Sequence, residues 1–275
     1  MAPEWLTALA WSYLSICFCS ASVIVYDIVG NRRRQPMGVM DFVFPITALY
    51  LGPLALAFYL RRGRAATRTA MPPVPVMSLT TPASVGVTAV VGGMSVRPLA
   101  HHAMAGAAHP TGTCAPVPAR PIRATKPGWV STALDVSHCG SGCTLGDVIS
   151  EFAIFGFGLT NAGSVLGAEY VGDFVLALAL GIIFQYFAIA PMRGLTLKDG
   201  LVAAAKADFI SLTAFEVGLF GWMSVMAFVL YPAPHHLMAS SAAYWLLMQV
   251  GMIIGFVTAW PANVWLVKRG VKVPM

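Results

Sequence analysis

Long apolar runs separated by short polar stretches dominate this chain. A bilayer core of about 30 Å takes roughly 20 residues of helix. Six runs read as spans: Leu6 to Val29, Asp41 to Leu60, Thr144 to Leu166, Asp173 to Pro191, Leu201 to Tyr231, and Ala242 to Val267. The second contains Pro45 and Pro53, which predicts a kink. The fifth is longer than one span needs, so it tilts or protrudes. No Lys or Arg precedes the first run, and it is too long for the apolar part of a signal peptide; it reads as a retained helix. Trp265 near the end of the last run suits an interfacial belt.

Residues 61–134 break the pattern. They contain ten of the nineteen prolines, eight Lys or Arg and no acidic residue. Without long aliphatic and aromatic side chains such a segment is expected to be mostly disordered. The expected organisation is therefore a transmembrane hairpin over 1–60, a Pro/Ala-rich basic linker over 61–134, and a four-helix transmembrane domain over 135–275. The fold class is all-α, a polytopic helical membrane protein of about six transmembrane helices.

Composition agrees. Apolar residues make up 57% of the 275 and charged residues 10%, against about 25% charged in soluble domains. The partner implied is the lipid bilayer of an inner or plasma membrane, crossed several times. The formal charge is +6, but the basic residues flank apolar runs and form no stripe, which argues against nucleic acid. Six spans put both termini on one side. Placing them in the cytoplasm gathers Arg61 to Arg68, Arg193, Lys198, Lys268, Arg269 and Lys272 inside. Arg32, Arg33 and Arg34 violate that scheme. Five cysteines, scattered and odd in number, make no disulfide framework. Nucleotide-binding, dinucleotide-binding and common hydrolase motifs are absent, and no histidine sits mid-span to ligate a haem.

The stretch with most chemistry runs from His138-Cys139 through Gly140-Ser141-Gly142 to Cys143, then Asp147 and Glu151. Read as a Gly-rich loop leading into the third helix, it lets soft ligands converge on one ion. Cys143, Asp147 and Glu151 then fall on one helical stripe. Glu216 lies near the middle of the fifth run, where a charge is costly and usually functional. Asn161 and Gln185 are its expected partners. Asp208, on the same face, either joins it or pairs with Lys198 or Lys206. Met223, Met226, Met248 and Met252 offer thioethers, and the linker offers His101, His102, Met104, His109 and Cys114.

Three stretches carry a family likeness: Pro45-Ile46-Thr47-Ala48-Leu49-Tyr50-Leu51-Gly52-Pro53; the His138–Glu151 pattern with Leu145-Gly146-Asp147; and Pro261-Ala262-Asn263-Val264-Trp265-Leu266-Val267-Lys268-Arg269-Gly270. Together they resemble a bacterial membrane family known as domain of unknown function 4396. Phe44 stands where that family has Trp, and the linker has no counterpart in it. The resemblance implies a polytopic membrane protein with the Cys/His stretch as its hallmark, and brings no activity.

The residues themselves point to binding or translocation of a soft transition metal, copper first and zinc second. The expected metal residues are His138, Cys139, Cys143, Asp147, Glu151 and Glu216, and metal-handling proteins would be partners. Enzymatic activity is left open by the residues, which favour none. Two other readings stand beside it: a membrane thiol or electron-transfer protein cycling Cys139 and Cys143, and a structural membrane subunit whose polar residues join helices.

Overall fold

The computed structural model describes residues 2–65, 128–193 and 196–272. Five long helices and one broken hairpin account for nearly all of them. The long helices are α1 (Glu4–Val29), α4 (Gly128–Phe157), α5 (Val165–Arg193), α6 (Leu197–Val225) and α7 (Ala242–Lys268). The hairpin consists of α2 (Met40–Leu51) and α3 (Pro53–Phe58), and a π-helical turn, Tyr59–Gly63, continues α3. A second such turn, Met226–Leu230, continues α6.

Four stretches are long and apolar enough to cross a membrane: Glu4–Val29, Val165–Phe187, Asp208–Leu230 and Ala242–Lys268. Their outward faces expose large apolar side chains, among them Trp11, Phe18, Val175 and Phe228. A soluble protein could not leave that surface in water. The molecule is a helical, multi-pass membrane protein.

Helix α4 is different. It has 30 residues and 20 of them are buried, so other helices surround most of it, while Ile149, Phe152 and Phe155 near its end are exposed. That is why α4 can be polar. It packs along α5, which runs antiparallel to it: Gly146 meets the backbone of Ala177, and a Cβ on Gly142 would sit 2.8 Å from Gly181 Cα. Small residues let the two backbones approach closely, as membrane helices commonly do. The Gly-rich stretch is thus a helix–helix contact face, not a loop. The helix begins at Gly128, before the boundary drawn at 135. Residues 66–127, with the linker's His/Met/Cys cluster, lie outside the described residues.

The second expected span is not a span. Helix α2 has 12 residues, about 18 Å of helix, roughly half a bilayer core. Gly52 then reverses the chain at φ +52°, and Pro53 starts α3. Tyr13 Oη, midway along α1, donates to the Tyr50 carbonyl at 3.0 Å, which places this turn at mid-bundle. The chain then returns to where it came from. Arg64, just beyond the hairpin, pairs with Asp27 at the end of α1, and Arg33 donates to the Ala65 carbonyl. The hairpin is re-entrant: it packs on α1, α4 and α7, and its turn at Gly52 is buried, which is where irregular backbone is tolerated at membrane depth.

This changes the topology. Leu6 and Ala10 of α1 pack with Ala243 and Leu246 at the start of α7, so α1 and α7 run in the same direction. The start of α1 and the end of α7 therefore lie at opposite ends of the bundle, not on one side as six spans required. Arg32, Arg33 and Arg34 join Arg61, Arg62 and Arg64 at the end where α7 finishes. The exception to the charge rule disappears with the second span. Trp129 under Arg62 and Trp265 under Arg269, at 5.8 and 5.6 Å, mark that same end.

Candidate functional site

Helical spacing decides where the α4 side chains point. Residues four apart fall on one stripe, so Cys139, Cys143, Asp147 and Glu151 follow one another along the helix. All four are buried. The expected stripe is present, but it lies inside the bundle and does not descend from an interface. Cys143 sits mid-helix, so no helix N-terminus acts on its thiol.

Three other helices bring polar groups to this stripe. From α6, Asp208 faces Cys139, and Glu216 lies beside Cys143 and Asp147. From α5, Asp173 lies beside Glu151 and Ser150. Around Glu151, α5 also contributes Glu169 and α7 contributes Tyr244. At the other end Lys272 folds back after Gly270. Its Nζ donates to Asn263 Oδ1 at 3.0 Å, within electrostatic reach of Asp208 and His138. A continuous polar column results, in the order Lys272, Asp208, Cys139, Cys143, Glu216, Asp147, Asp173, Glu151, Glu169.

The column is short of partners. Neither carboxyl oxygen of Asp147, Asp173, Asp208 or Glu216 has a hydrogen bond of standard geometry among the described residues. A charged carboxylate near the bilayer centre costs about 3 kcal/mol on insertion scales; a neutral carboxyl buried unmatched costs about 1–3 kcal/mol. Four such carboxyls in one bundle are a large standing cost.

Asn161, expected to partner Glu216, is exposed in the turn between α4 and α5. Gln185 is buried in α5 with its Oε1 unmatched. Asp208 meets neither Lys198 nor Lys206, which are exposed; its cationic neighbour is Lys272. His138 turns from the cysteines toward α5, its ring 6.3 Å from that of Phe184. Among the described residues, no three His, Cys, Asp or Glu side chains converge as a ready-made metal site. The six expected residues all lie along the column or beside it, but not around one point. Met252 belongs to the same buried cluster as Cys139 and Cys143, and its Sδ accepts from Thr144 Oγ1 at 3.8 Å.

Sequence reading missed Asp173, Glu169, Tyr244 and Lys272 as members of this set. Asp173 and Glu169 are four apart on α5, which was the available signal. Nothing local marks Lys272.

At its two ends the column differs. At the Lys272 end the lysine itself is buried, 2% exposed. The Glu151 end opens into a cavity of about 480 Å³ between the α4–α5 and α6–α7 connections, lined by Glu169, Met223, Met226, His236 and Tyr244 among others.

The family model for domain of unknown function 4396 matches residues 128–272. The chain belongs to that family. Its matched part begins with α4 and ends at Lys272, so it contains the whole column, while α1 and the re-entrant hairpin precede it. No curated protein and no solved structure matches the chain.

Proposed function

We propose that this member of the 4396 family moves a cation across the bilayer along the α4 column, with a soft transition metal ion as the cargo and protons as the counter-charge. The observation that carries the reading is the row of buried carboxyls that, among the described residues, face thiols and other acids and make no hydrogen bond of standard geometry. Groups so costly to bury are kept in membrane helices chiefly where ions or protons pass. Carboxyls and thiols must give up protons to hold a metal ion. Ion arrival therefore releases protons into neighbouring carboxyls, and protons returning release the ion. That exchange needs the acids and thiols to be contiguous, which is their arrangement on α4 and α6.

Two thiols and the Met252 thioether in one cluster favour Cu(I) over Zn(II), because sulfur ligands suit the softer ion. The basic end belongs in the cytoplasm by the charge rule, which puts the Glu151 cavity on the outer face.

The test is metal content of purified protein loaded with Cu(I) under reducing conditions, beside a Cys139→Ser/Cys143→Ser variant. Bound copper is expected to fall to background in the variant while its helical content holds. Equal copper in both proteins refutes the site.

A further inference from the structure

The cavity at the outer end of the column is far larger than a bare ion needs. Its volume of about 480 Å³ lies within the range of about 300–1,000 Å³ typical of small-molecule sites. Its walls are mostly apolar and aromatic, with Phe155, Leu166, Phe228 and Tyr231 among them, and only a few polar groups converge inside. Two of those are the carboxyls of Glu151 and Glu169. Glu151 is 2% exposed; beside Tyr244 and Asp173, its Oε1 makes no hydrogen bond of standard geometry among the described residues. Among the described residues no Lys or Arg lines the cavity.

We propose that this cavity binds an amphipathic organic cation, an ammonium carrying an apolar or aromatic body. Each part of such a ligand meets its complement. The cationic head would rest against Glu151 and Glu169, with aromatic faces adding cation–π attraction. The apolar body would fill the space between Leu166, Met223, Met226 and Phe228. A bare metal ion would leave those walls unused. The head would sit on the last acid of the column, so the ligand would plug the pathway's outer mouth or feed it. The site itself stands on the cavity and does not require the column to carry metal.

The probe is benzyltrimethylammonium, titrated by calorimetry into the full chain in a non-ionic detergent. Saturable one-site binding is expected, tighter than that of tetramethylammonium, which lacks the apolar body, and of benzyl alcohol, which lacks the charge. Removing a buried charged partner should weaken it about tenfold or more in Glu151→Gln/Glu169→Gln. If that double variant fails to fold, Glu169→Gln alone, at a half-buried position, should show a smaller loss that Glu169→Asp largely restores. The inference is overturned if benzyltrimethylammonium does not bind, if the folded double variant binds it equally well, or if tetramethylammonium binds as tightly. It is also overturned if Cu(I), and not the ammonium, occupies the cavity and is lost with Met223→Leu/Met226→Leu. Glu216→Gln separates this from the column reading. Ammonium binding that survives in Glu216→Gln, with transport unchanged there, sinks only the column. Transport that dies in Glu216→Gln, with no ammonium binding in the parent, sinks only the cavity.

Discussion

Asp27 and Glu216 are both carboxylates buried inside long helices of one bundle, and their surroundings are opposites. Asp27 accepts from both Nε and Nη2 of Arg64, at 2.8 and 2.5 Å. Tyr59 Oη and Asn31 Nδ2 each donate to it at 2.9 Å, and Arg33 stands 3.7 Å away. Every partner comes from the same end of the molecule, and together they tie the re-entrant hairpin back to α1. Glu216 has a thiol and another acid for neighbours and no hydrogen bond of standard geometry. The first arrangement is complete without a guest. A satisfied buried carboxylate holds structure, because losing a partner leaves a charge stranded. The second is incomplete, and its cost is offset only when a proton or cation occupies it.

That contrast predicts effects of opposite sign. The greatest comes from closing the site altogether. Gly146→Val would drive a side chain into the backbone of Ala177, separating α4 from α5, and should yield no monodisperse protein by size exclusion in detergent. Next is Glu216→Gln. Cation-driven proton flux in liposomes should drop to the leak of protein-free vesicles, while the unfolding midpoint stays equal or rises, since an amide is cheaper to bury than a carboxylate. A falling midpoint with intact flux would make Glu216 a structural group like Asp27. Asp27→Ala should do the reverse: it should lower stability by about 1–3 kcal/mol, seen as an earlier thermal transition, with flux per folded molecule retained. The smallest effect is expected at Gly52. Ala there must hold φ +52° and meets Cys17 Sγ at 3.0 Å, a cost of about 1–2 kcal/mol, read as a modest midpoint shift.

The same contrast explains a failure of reading along the chain. Arg32, Arg33 and Arg34 looked misplaced because Asp41 to Leu60 was counted as a crossing. Its length and apolarity allowed that. The signal against it was Gly52-Pro53, which stops α2 and starts α3, but a Pro alone predicts only a kink. What turned the kink into a reversal was Arg64 meeting Asp27 and the Ala65 carbonyl meeting Arg33, each across more than 30 residues, contacts no local pattern announces. His138 failed for a different reason. It is adjacent to Cys139 in sequence, and in a helix adjacency separates side chains by about 100°, so the ring that looked closest is turned away.

By itself the chain determined that it lives in a membrane, that its elements are helices, and that Cys143, Asp147 and Glu151 share a stripe. Apolar run length and the 3.6-residue period are local properties, readable wherever they occur. Only the tertiary structure decided that α4 is largely enclosed by other helices, that the glycines are a packing face, and that Asp173, Asp208, Glu169 and Lys272 complete the column. Those depend on which helices approach one another and how closely. In a bilayer that choice rests on small-residue contacts and hydrogen bonds spread over several helices, not on hydrophobicity that a single segment displays.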